Sequence, residues 1–115
     1  MSVQFKSYSA TSVFDNETFL EQEVRILVGA TGGTIVKSLE IIGVEEGSCN
    51  VSVYRKKTLT GNETSTEEMV EIPIQLKAND YLLLWEGFFV IESGTVLSFK
   101  ANKNGVKVVA NVVEM

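Results

Sequence analysis

The sequence predicts an all-β protein: one antiparallel β-sandwich, jelly-roll or Ig-like, of about eight or nine strands. Two observations carry this. Short apolar runs alternate with short turns, and no helical period recurs along the chain. Turn-forming residues return at roughly the 8–12-residue spacing typical of sandwiches and barrels. Both patterns are clearest from Ile72 to Met115.

Taken in order, residues 2–13 are polar and Ser-rich, with weak alternation at Val3 and Phe5. They read as an edge strand or as an arm that orders on assembly. Asp15 to Glu23 is acidic, and Asp15 is placed to cap one helical turn. Val24, Ile26 and Val28 share one strand parity, with Arg25 and Leu27 on the other. Gly29 to Gly33 forms a turn. Thr34 to Val44 is a long strand with mixed parities, so a bulge near Ile41-Ile42 is expected.

Glu45-Glu46-Gly47 turns into a strand in which Cys49, Val51 and Val53 share a face. Thr58 to Glu68 is the most polar stretch and reads as an exposed loop or hairpin tip, with Gly61-Asn62 as its turn. Val70, Ile72, Ile74 and Leu76 alternate cleanly. Pro73 lies on the opposite parity and marks an edge strand or bulge, because proline cannot donate to a ladder. Asn79-Asp80 starts the next turn. Tyr81 to Trp85 and Phe88 to Ile91 read as a strand pair joined tightly at Glu86-Gly87. Ser93-Gly94 turns into Val96 to Ala101. Asn104-Gly105 is the strongest hairpin signal, since both residues tolerate positive φ. Val106, Val108, Ala110 and Val112 then form an inward face.

The 115 residues make one domain, 1–115, with no linker and no repeat at a fixed period. An apolar fraction of 44% suffices for a core without metal or disulfide support. Cys49 is the only cysteine, so no intrachain disulfide forms, and it reads as a small core residue. The net charge of -5 disfavours nucleic acid, whose binding needs clustered Lys and Arg. Arg55-Lys56-Lys57 is too short a cluster to change this. The N-terminal residues contain no apolar signal core, and no run approaches the ~18 apolar residues of a membrane helix. Synthesis and folding in a cytoplasm, with no membrane contact, is the expectation.

Histidine is absent from the chain, which removes Ser-His-Asp and Cys-His catalysis and most zinc sites. Gly29 to Gly33 matches no phosphate-loop pattern, and a strand follows it rather than a helix. Glu45-Glu46 and Glu67-Glu68 are adjacent pairs, which point to opposite faces of a strand and do not converge. Asp15, Asn16 and Glu17 lack the EF-hand spacing. The expectation is therefore a non-enzymatic protein with no cofactor and no metal.

The run Tyr81 to Ile91 is apolar on both parities, more than a half-exposed strand requires. It contains Tyr81, Leu83, Trp85, Phe88 and Phe89. These are either core or an interface, where Trp and Tyr commonly anchor affinity. We take the five as the candidate interface residues.

From about Val24 to Met115 the chain resembles small β-sandwich virion proteins of tailed bacteriophages. The resemblance lies in Val28 to Leu39, where a Gly-containing turn precedes an apolar-Lys-Ser-apolar strand. It continues in Asn50 to Tyr54 and in Ile72 to Asn79, which holds Ile-Pro and a Leu-x-Ala-Asn turn. It ends with Val90-Ile91-Glu92-Ser93-Gly94, Val96 to Ala101 and the Val-rich Val106 to Glu114. The chain departs from the pattern in two places: Val28 to Gly33 has no proline, and Gly94-Thr95 replaces a Gly-Asp pair. The resemblance implies a subunit of the capsid surface (as decoration), neck, tail or fibres. It implies a symmetric homo-oligomer in the virion, with other virion proteins as partners and no activity. A carbohydrate- or receptor-binding module, with Thr58 to Glu68 as its recognition loop, is the alternative.

Overall fold

A computed structural model describes residues 3–15, 17–42, 50–58, 64–75 and 82–115, with backbone alone over 57–58, 64–75 and 82–85. It contains ten strands and, among the described residues, no helix. They are β1 (Gln4–Thr11), β2 (Val13–Asp15), β3 (Leu20–Gln22), β4 (Val24–Val28) and β5 (Thr34–Ile42). After them come β6 (Asn50–Thr58), β7 (Thr64–Gln75), β8 (Leu82–Ile91), β9 (Val96–Ala101) and β10 (Lys107–Glu114).

Two four-stranded sheets hold the fold, in the orders β1-β10-β5-β8 and β4-β9-β6-β7. All pairings are antiparallel, and they nest: β1 with β10, β4 with β9, β5 with β8, and β6 with β7. The first half of the chain thus lies against the second half, wrapped into two facing sheets. That is jelly-roll connectivity, and it decides between the two sandwich types the sequence left open. β2 and β3 form a small separate hairpin between β1 and β4.

The core fills the space between the sheets. Val36, Leu39 and Ile41 from β5 and Val108, Ala110 and Val112 from β10 face Val51, Val53, Leu97 and Phe99 from the other sheet. With Val106 they confirm the inward face expected at the end of the chain. β1 is an edge strand, as its polar sequence suggested, with only Tyr8 and Ala10 partly buried. Pro73 lies in β7, also an edge strand, beside an irregular stretch of the β6–β7 ladder.

Several expectations need correction. The expected turn at Asp15 is not one of them: Asp15 Oδ1 accepts hydrogen bonds from the Glu17 and Thr18 amides (2.9 and 3.4 Å), and its carbonyl accepts from the Phe19 amide (2.8 Å), a single capped helical turn that joins β2 to β3. In β4 the ladder to β9 skips Ile26, so Ile26 and Leu27 are both buried while Val28 is exposed. The bulge in β5 is at Lys37, not at Ile41-Ile42: Lys37 faces no residue of β10 or β8. Of the two readings of Thr58 to Glu68, the hairpin holds and the loop does not: Thr64 to Glu68 belongs to β7, which pairs with β6 up to Thr58 opposite Thr64, and the Gly61-Asn62 turn lies outside the described residues. So do Cys49, the Glu45 to Gly47 turn and the Asn79-Asp80 turn.

Glu86-Gly87 is no connection. β8 runs unbroken from Leu82 to Ile91 along β5, and Gly87 and Phe88 form its side of the irregularity opposite Lys37. The expected strand pair is one strand. Asn104-Gly105 is a true turn, with Gly105 at φ 77°, but it joins strands of different sheets and closes no hairpin. The Asn104 side chain accepts a hydrogen bond from the Phe14 amide (2.6 Å), tying this crossover to the β2–β3 hairpin.

Candidate functional site

Antiparallel pairing places facing residues on the same side of a sheet. In the β1-β10-β5-β8 sheet, Phe5 faces Val113, Val113 faces Ile35, and Ile35 faces Val90. These four side chains form an apolar row across the outer face of the whole sheet. Phe5 is 84% exposed and Val90 44%, while Ile35 and Val113 are half-buried. Phe88, 76% exposed, lies close by on β8. A lone exposed apolar residue is ordinary, whereas an apolar row spanning a sheet with exposed members at both ends is a candidate interaction face.

The neighbouring row is polar and tightly connected. Ser7 Oγ donates to Asn111 Oδ1 (2.7 Å), and Asn111 Nδ2 donates to Ser38 Oγ (3.0 Å). Three strands are thereby cross-linked on the outer face beside the apolar row. The bulged, exposed Lys37 stands between the two rows and lines a shallow depression with Phe5, Ser7 and Asn111.

At the end of this sheet, Lys6, Tyr8 and Glu114 form a compact cluster. Lys6 Nζ is 2.9 Å from Glu114 Oε2, and the Tyr8 hydroxyl donates to Glu114 Oε1. The Tyr8 hydrogen bond and then the Lys6 ammonium hold the Glu114 carboxyl below its ordinary range. The same contacts with Glu114 raise Lys6 and Tyr8. These groups bind one another, and their chemistry is that of a structural clasp between β1 and β10.

The outer face of the other sheet is different in character. Lys100 Nζ lies 5.5 Å from the centre of the Tyr54 ring, and Lys56 is paired with Glu23. Ser98 Oγ is buried there without a hydrogen-bond partner among the described residues. No cluster of three His, Cys, Asp or Glu side chains occurs among the described residues. No helix of the described residues is long and apolar enough to cross a membrane.

The five residues expected at an interface do not share one face. Phe88 is exposed beside the apolar row, but Phe89 packs against the core opposite Val36. The backbones of Leu83 and Trp85 stand in register with Ile41 and Leu39, and Tyr81 lies outside the described residues. Sequence reading missed Ile35 and Val113 altogether. Their signal is a register across four strands, which no local pattern contains. Comparison with protein-family models gave no match, and none came from the curated proteins.

Proposed function

We propose that this protein is a non-enzymatic structural subunit of a tailed-bacteriophage virion that assembles through an outer sheet face and its strand edges. One observation carries the assembly reading: the apolar row Phe5–Val113–Ile35–Val90, with Phe88 beside it, on a four-stranded sheet. Burying such a row yields about 25 cal/mol per Å² of apolar surface, before the costs of association. The jelly-roll topology adds support, because viral capsid domains use it. The partners are further copies of this chain and other virion proteins. The chain is made in the bacterial cytoplasm, and capsid surface, neck, tail and fibre are the positions compatible with the reading.

The test is the solution mass by size-exclusion chromatography with light scattering across a concentration series. A closed ring or other defined oligomer that Val90→Glu with Phe88→Glu dissociates is the expected result. The same fold hosts lectins, so a monomer that binds glycans would replace this reading with a binding module.

A further inference from the structure

The two sheets have four edge strands, and three carry a feature that discourages pairing with another chain. β4 is short and bulged between Arg25 and Leu27. β7 contains Pro73 and pairs irregularly with β6. β8 is bulged at Gly87 and Phe88, where its ladder to β5 shifts register, and the Arg55 guanidinium donates to its Val90 carbonyl (3.4 Å). Bulges, prolines and covering charges are the usual protections of a sheet edge.

β1 has none of these. Its ladder to β10 runs from Gln4 to Thr11 without a register shift, and it contains no proline and no glycine. Its single charge, Lys6, is drawn to Glu114 on its own sheet. We propose that β1 is a docking edge for a second copy of this chain, pairing antiparallel with the β1 of that copy. The inference rests on the assembly reading above and names the edge that carries it.

Backbone direction supports the pairing. The Ser12 amide donates to the Val106 carbonyl (2.8 Å), which continues the β1–β10 register. By alternation, even-numbered residues of β1 direct their backbone groups at β10. Phe5, Ser7, Ser9 and Thr11 direct theirs at the open edge. Their side chains also lie on the outer face, the face of the apolar row.

Symmetry then selects the register. A two-fold pairing must set outward residues opposite outward residues, so its axis passes through a residue and not between two. An axis at Lys6 sets two ammonium groups face to face. An axis at Tyr8 leaves Val3 and Gln4 beyond the end of the partner strand. An axis at Ser7 uses residues 3–11 in full: Ser7 meets Ser7 of the second copy, Phe5 meets Ser9, and Val3 meets Thr11. Two outer faces then join into one continuous sheet. Phe5 and Val3, both exposed in a single copy, gain cross-strand neighbours.

The experiment uses the full chain and three variants, Ser7→Pro, Ser7→Cys and Ser9→Cys. Ser7→Pro removes an amide that points at the open edge, so the ladder to β10 keeps its own hydrogen bonds. Ser7→Cys, made with Cys49→Ala, tests the axis directly, because a facing pair about 5.5 Å apart at Cα suits a disulfide. The expected result is an oligomer of the parent chain and a 12.6 kDa species for Ser7→Pro with an unchanged circular dichroism spectrum. Ser7→Cys is expected to form a covalent dimer at least ten times faster than Ser9→Cys. Should Ser7→Pro misfold, the cysteine comparison decides. If the parent chain and Ser7→Pro have the same oligomeric mass and Ser7→Cys does not cross-link, the edge proposal is overturned while the assembly reading stands. A parent chain that is monomeric at high concentration overturns both.

Discussion

Val36 and Leu39 are both fully buried on the core face of β5, although they stand three positions apart. A regular strand would send one of them outward. The extra residue is Lys37, which pairs with neither β10 nor β8 and restores the core side to Leu39 and Ile41. Deleting Lys37 should therefore leave a regular strand in which Val36, Leu39 and Ile41 still point inward. A loss of about 1–2 kcal/mol, from rearrangement of the Gly87-Phe88 bulge, is expected. Deleting Glu40 instead turns Ile41 to solvent, and the chain should lose cooperative unfolding. Urea denaturation of the two deletions decides, and equal stability would place the bulge elsewhere.

Phe88 and Phe89 are adjacent and face opposite ways, so they separate assembly from stability. Phe89 packs on the core, and Phe89→Ala should cost about 1–3 kcal/mol by the apolar area it uncovers. Phe88 is exposed, and Phe88→Ala should change stability by no more than about 0.5 kcal/mol. Thermal unfolding checks both values. A larger loss from Phe88 would mean that it belongs to the core.

Gly29 joins two loops at one end of the sandwich. Its amide donates to the Thr95 carbonyl (2.8 Å), and its carbonyl accepts from the Gly94 amide (3.2 Å). A Cβ on Gly29 would stand 2.0 Å from the Glu92 carbonyl oxygen, so the backbones must part to admit alanine. Gly94 has open space around it but φ 77°. Gly94→Ala should cost about 1–2 kcal/mol from the left-handed backbone alone. Gly29→Ala should cost more, roughly 3 kcal/mol or above. Chemical denaturation of the pair ranks them, and the reverse order would show that the close approach relaxes cheaply.

What the sequence made legible is local. The alternation of Val106, Val108, Ala110 and Val112 gave a face that is inward in the fold. Turn residues at Ser93-Gly94 and Asn104-Gly105 gave real turns with glycine at positive φ. Partner choice was not legible. Asn104-Gly105 has hairpin chemistry, but the strand after it joins β1 and β5 in the opposite sheet. The bulge at Lys37 depends on what faces it from two other strands. The apolar row has the same origin: Phe5, Ile35, Val90 and Val113 meet only once three ladders are in register. The run from Tyr81 to Ile91 looked like a face because its composition is apolar throughout. In the fold its described part is one edge strand whose described side chains divide between core and solvent.

The clasp of Lys6, Tyr8 and Glu114 gives a pH dependence whose sign follows from its contacts. The Glu114 carboxyl is held below 4.5, so the folded state prefers the carboxylate. Its contribution is complete above about pH 4.5 and is lost as the pH falls through the folded value. Lys6 is raised above 10.5 and Tyr8 above 10.0, so the folded state prefers their protonated forms. Their contribution is complete below about pH 10 and is lost as the pH rises through their folded values. Glu114→Gln removes the charge that all three shifts depend on. The difference in Tm between the parent chain and this variant should be steady from about pH 6 to 9 and should shrink below about pH 4. Calorimetry across that range measures it. A Tm difference that stays constant into acid would mean that Glu114 acts through packing and not through its charge, and the clasp would then not be electrostatic.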